Sequence, residues 1–232
     1  MASTANRVIK NTSYLYIKMG ITMFISLYIT RLILNSLGAS DFGIFNIVGG
    51  AISMLAFLNG SMAAATQRFM SYAEGENNES KKIVIFNSSI VLHLIIALFV
   101  GVLLEIGAFF LFDGVLNIPE NRISSAKIIY HCAVLSTIFT ILTVPYDAVI
   151  NAHENMLYYA AVGVFESFLK LATAFIVVYT LSDKLIVYGI FTAITALIIQ
   201  LVMRIYCIRH YPECRLSLRN TVDFGILKEM TI

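Results

Sequence analysis

Apolar residues run through this chain in six long blocks, and polar residues gather in the short gaps between them. The blocks cover residues 14–37, 42–65, 83–112, 123–150, 156–181 and 185–208. The gaps cover residues 38–41, 67–82, 113–122, 151–155 and 182–184. Each block reaches the ~20 mostly apolar residues that a helix needs to cross a bilayer. Blocks apolar nearly all round are not the amphipathic helices of a soluble domain. Strict alternation over ~10 residues, the mark of a transmembrane β-barrel, is absent. The pattern predicts an all-α polytopic membrane protein, a six-helix transmembrane bundle over residues 1–220. Residues 221–232 turn apolar again after Arg219 and read as the start of a seventh or interfacial helix, truncated. No internal repeat relates the six blocks.

Composition narrows the class further. Apolar residues make up 59% of the chain and charged residues 13%, against about half and about a quarter in a soluble domain. The net charge of +2 and the lack of a basic block interleaved with aromatics give nucleic-acid binding no support. Residues 1–11 are polar, and no small-residue cleavage site follows the first block, so a cleavable leader is not expected. Cys132, Cys207 and Cys214 form no CxxC pair, which argues against a disulfide framework or a metal knuckle.

Basic residues orient the bundle. With the N-terminus in the cytoplasm, eleven of them fall on the inner side, among them Arg7, Lys81, Lys82 and Arg215. Arg122, Lys127 and Lys184 fall on the outer side. Most tyrosines cluster near the proposed block ends, as an interfacial belt should, whereas Tyr28 lies deep.

Charges inside the blocks are the candidates for chemistry, because they need a partner or a wet cavity. Arg31 lies roughly 9 Å inside the outer end of the first block at 1.5 Å per residue, and snorkelling to the headgroups is its plainer role. Glu105 lies at comparable depth in the third block, which suggests an Arg31–Glu105 pair. Glu166 and Lys170 stand at i and i+4 in the fifth block, the favourable order for a helical ion pair. They either neutralise each other or offer Lys170 to an anionic substrate. Asp41, beside Ser40, is a natural helix N-cap as well as a gating candidate. Pro145 in Val144-Pro-Tyr-Asp-Ala148 is expected to bend or end the fourth helix, with Asp147 placed for gating or coupling. His153-Glu154 begins like HExxH, but Leu157 stands where the second His belongs. No GxSxG, Walker A or GxGxxG occurs, so an enzyme is not expected, and no cofactor is implied.

The runs Lys10-Asn-Thr12 and Arg31-Leu-Ile-Leu-Asn-Ser-Leu-Gly-Ala-Ser-Asp-Phe-Gly43 resemble the first two helices of bacterial polysaccharide flippases. Ala65-Thr-Gln-Arg-Phe69, Val144-Pro-Tyr-Asp-Ala148 and Ala152-His-Glu-Asn-Met156 extend the resemblance over the whole chain in order. These O-antigen and capsule flippases belong to the multidrug/oligosaccharidyl-lipid/polysaccharide exporter superfamily. The resemblance implies the N-terminal lobe of a MATE-like two-lobed transporter, with a C-terminal lobe as missing partner. It implies a polyprenyl-pyrophosphate-linked oligosaccharide as substrate, moved across the bacterial inner membrane by alternating access. Arg31, Lys170, Glu166 and Tyr28 would then bind substrate, and Glu105, Asp147 and Asp41 would couple or gate. A cation-coupled multidrug exporter of the same fold and a non-transporting half-subunit are the alternatives.

Overall fold

The computed structural model describes residues 2–53, 56–112, 118–215 and 225. Among the described residues every long element is an α-helix, and none is a strand. Helix α1 spans Ala2–Ser53 and is broken only at Gly38, where φ is 77° and ψ 171°. That backbone is open to glycine and strained for other residues. The predicted gap at 38–41 is therefore a one-residue kink between two arms. The second predicted block is divided between the second arm of α1 and helix α2, Ala56–Gly75. Helix α2 also runs ten residues beyond the predicted end of that block. Met70 and Ala73, three apart, bury one face of this extension against Ile85 and Phe86 of the next helix. The predicted loop at 67–82 shrinks to residues 76–78, with Asn77 at a φ of 52°.

Helices α3 (Glu79–Phe110), α4 (Ile123–Ala152), α5 (Met156–Tyr179) and α6 (Lys184–His210) follow the predicted blocks closely. Their starts have local causes. The side chains of Asn78, Asn155 and Asp183 accept backbone N–H bonds from Lys81, Tyr158 and Leu185, satisfying first-turn donors that have no partner within the helix. Pro145 does not end α4, which continues to Ala152. Among the described residues five helices are long and apolar enough to cross a membrane, and α2 is not one of them. The apolar tail predicted at 221–232 lies outside the described residues except for Gly225.

Helix α4 is the hub of the bundle. It packs on α6 most extensively and also touches α1, α2, α3 and α5, while α1 packs chiefly on α5. Two glycines let neighbours approach α4. A Cβ on Gly189 would stand 2.9 Å from Cγ1 of Ile129, and one on Gly101 would stand 3.1 Å from Cδ1 of Ile138. Small residues at helix crossings are the usual means of close packing where lipid supplies no hydrophobic drive. Large apolar side chains such as Phe24, Phe99, Phe109 and Phe168 point outward, the inverse of a soluble protein and the arrangement that lipid solvates.

Polar clusters clasp the two ends. At one, Arg122 donates to Asp41 and to Asp183 (Nη1 to Oδ2, 2.7 Å), and Ser125 also donates to Asp183 at 2.7 Å. Asp41 is thus engaged by a guanidinium at the start of α4. At the other, Lys82 is almost fully buried and pairs with Glu74 (2.8 Å) and Glu79 (2.7 Å). His153 lies between Glu74 (3.2 Å) and Glu213 (2.5 Å) and stacks on Tyr211.

Candidate functional site

A cleft runs between α1, α4, α5 and α6. Its largest chamber, about 720 Å³, lies between the first arm of α1, α5 and α6, with Lys170 on its wall. A chamber of about 220 Å³ lies deeper, between α4, α5 and α6, and brings together Asp147, Glu166 and Lys170. A third, about 290 Å³, lies between the second arm of α1 and α4. Lys170 and Thr195 line the first two chambers, and Thr192 lines all three. Single ligand sites commonly occupy 300–1,000 Å³.

Glu166 and Lys170 pair at 2.6 Å, one helical turn apart as predicted. Both are substantially exposed to the cleft, and such a pair contributes only about 0.3–0.5 kcal/mol to stability. It can therefore exchange partners with a ligand at small cost. Asp147 reaches the same chamber from α4, one turn inside the end that carries His153. Lys18 of α1 lies nearby but outside the lining of these chambers, in a separate pocket between α1 and α5. Its ammonium lies 3.9 Å from the Tyr159 ring centroid and interacts electrostatically with Asp147 and Glu166. Its side chain packs over Gly163 of α5, where a Cβ would stand 2.2 Å from Lys18 Cε. By sequence Lys18 was one of the eleven inner basic residues, and only the glycine four places before Ser167 hinted at a crossing.

The structure does not bring all the predicted residues together. Arg31 lies about 100° around α1 from Thr30, which lines the large chamber. It is exposed and has no partner among the described residues. Tyr28 also faces away from the chambers and packs against Phe175, with ring centroids 6.4 Å apart. The predicted Arg31–Glu105 pair does not form. Glu105 pairs instead with His131 of α4 at 3.0 Å, because its face of α3 adjoins α4 and not α1. Asp41 lies at the Arg122 clasp rather than in the cleft.

A second polar seam escaped sequence reading. His93 is fully buried on α3 and donates from Nδ1 to the Ser89 carbonyl at 2.8 Å, while Ser89 donates to Thr66 of α2 at 3.4 Å. The buried amide of Asn87 and His93 Nε2 have no hydrogen-bond partner among the described residues.

These features define a multi-pass membrane fold with a polar cleft at its centre. Comparison with solved structures shows a fold similar to one half of MATE transporters. An outward-facing multidrug resistance MATE family transporter of the MOP superfamily matches with a TM-score of 0.77 at 15% identity over 95% of this chain and 50% of its own. A MATE transporter in complex with MaD3S matches with a TM-score of 0.70 at 14% identity over 97% and 50%. A MOP superfamily transporter from Pyrococcus furiosus, described as having reversed binding-pocket polarity, matches with a TM-score of 0.65 at 17% identity over 95% and 50%. This chain spans about half the length of the solved transporters it resembles, and at these identities the likeness is one of fold. No protein-family model and no curated protein sequence matches it.

Proposed function

We propose that this chain is the N-terminal lobe of a transporter that moves a polyprenyl-pyrophosphate-linked oligosaccharide across the bacterial inner membrane by alternating access. The observation that carries the reading is the cleft. It is hydroxyl-rich, with Lys170 on its wall set against Asp147 and Glu166 and Lys18 close outside it interacting with both carboxylates. Lys170 is the group for a phosphate or sugar acid, with Glu166 as its resting partner. Asp147, beside Lys18, is the coupling carboxylate in this proposal, ahead of Glu105 and Asp41, which are engaged elsewhere by His131 and Arg122. Arg31, exposed on α1, supplies positive charge to the side of the cavity that a second lobe would enclose. The resemblance of residues 10–12 and 31–43 to polysaccharide flippases supports a glycan substrate over others of the same fold.

A cation-coupled multidrug exporter is the second reading. Two carboxylates in the cleft favour it, as does the fold shared with a multidrug resistance transporter. The test is surface-glycan export by the full-length protein. Lys170→Ala is expected to reduce export at least tenfold with unchanged membrane abundance. Export at the unaltered level would remove the substrate role of Lys170. Drug resistance lost together with Asp147→Asn, with glycan export intact, would favour the second reading.

A further inference from the structure

Thirteen hydroxyl side chains line the three chambers, drawn from α1, α4, α5 and α6. Ten of them donate their single proton to a backbone carbonyl three or four residues earlier on their own helix, at 2.8–3.1 Å. A carbonyl only accepts, so the direction of these bonds is unambiguous. A hydroxyl has one proton and two lone pairs. With the proton committed to the helix, as is common for Ser and Thr on helices, the oxygen offers the cleft acceptors alone. Ser26, Ser136 and Tyr188 are the lining hydroxyls with no such commitment among the described residues. Lys170 adds the other concentrated donor, and one of its N–H bonds is already on Glu166.

We infer that the cleft is an acceptor-lined surface selective for a neutral, donor-rich polyhydroxyl group, with anionic ligand atoms confined to the immediate reach of Lys170. A sugar brings a hydroxyl proton to each acceptor. A phosphate brings acceptors to acceptors everywhere except at Lys170. A cation gains little attraction, because Lys170 on the chamber wall and Lys18 in the adjoining pocket both oppose it across Asp147 and Glu166. The inference rests on the oligosaccharide reading and specifies which part of that substrate this lobe holds: the sugars along Thr140, Thr192 and Thr195, rather than the pyrophosphate.

The test uses the 232-residue chain in lipid nanodiscs and three probes with one tail: octyl glucoside, octyl phosphate and octylammonium. Titration calorimetry is expected to show octyl glucoside binding at least fivefold tighter than either other probe. The triple variant Thr140→Val, Thr192→Val, Thr195→Val, which keeps the branched shape, should weaken glucoside binding at least fivefold and leave octylammonium within twofold. The Thr→Ser triple variant, which retains the hydroxyls, should bind glucoside like the unaltered chain. Equal thermal stability of the variants excludes misfolding as the cause, and if the Val triple unfolds, the order of the three probes on the unaltered chain decides alone. Octyl phosphate or octylammonium binding as tightly as the glucoside overturns the inference, and so does unchanged glucoside binding by the Val triple. Export of surface glycan by the full-length protein tests the underlying reading separately. Loss of export in Lys170→Ala with an unselective cleft would refute the inference and leave the flippase reading standing. A selective cleft with export intact in that variant would do the reverse.

Discussion

Where Lys18 passes over Gly163, one hydrogen atom of side chain decides whether its ammonium stays near Asp147 and Glu166. Gly163→Ala would place a methyl 2.2 Å from Lys18 Cε, and the flexible end of the lysine would swing away because that motion costs less than moving α5. The expected outcome is a several-fold loss of export with a melting temperature within about 2 °C of the unaltered protein. A lost fold with no export would show a packing role for Gly163 instead. Asp183 gives a pH signature at the same scale. Burial works against its charged form, but the hydrogen bonds from Arg122 and Ser125 outweigh burial and hold its carboxyl below the usual range. Its contribution is therefore full above the ordinary carboxylate value near 3.8 and fades as pH falls through the lowered native value. Thermal unfolding in detergent between pH 2.5 and 6 should show stability falling below about pH 4, and Asp183→Asn should remove part of that slope. Glu213 follows the same rule: burial opposes its charge, and the His153 hydrogen bond and the nearby Lys82 prevail.

Helices meet here through notches rather than through amphipathic faces. Ile129 of α4 sits in the notch at Gly189, with its own Cα 3.3 Å from where a Cβ would be. That neighbour is backbone and cannot give way as a lysine tip can. Gly189→Val is expected to destabilise the α4–α6 contact by about 1–3 kcal/mol, read as a lowered midpoint in detergent unfolding. Ile129→Ala should recover part of that loss when combined with it. A melting temperature unchanged in Gly189→Val would show that α4 and α6 slide freely. The same helices show what was legible beforehand. Five of the six blocks were readable because a lipid-facing helix must be apolar over its whole circumference and length. The extension of α2 to Gly75 was not, because its three buried positions, Thr66, Met70 and Ala73, are few among polar neighbours and declare themselves only against α3.

Across the whole molecule, contacts unite the start of α1, the end of α2, the α4–α5 turn and the end of α6 at one pole, and the Gly38 kink with the starts of α4 and α6 at the other. The excess of basic residues at the first pole predicts that it faces the cytoplasm. Cysteines introduced at Lys81 and Arg215 should react with an impermeant thiol reagent only after the cells are opened, and one at Arg122 should react in intact cells. The opposite pattern would invert the bundle. Within this frame the chain by itself determined the class of protein and the Glu166–Lys170 pair, since span length and a four-residue spacing are local properties. The partners of Glu105 and Asp41, the separation of Arg31 from the cleft and the recruitment of Lys18 were decided only by tertiary structure. Each depends on how far one helix is rotated against another, and in helices apolar all round no stripe of sequence records that rotation.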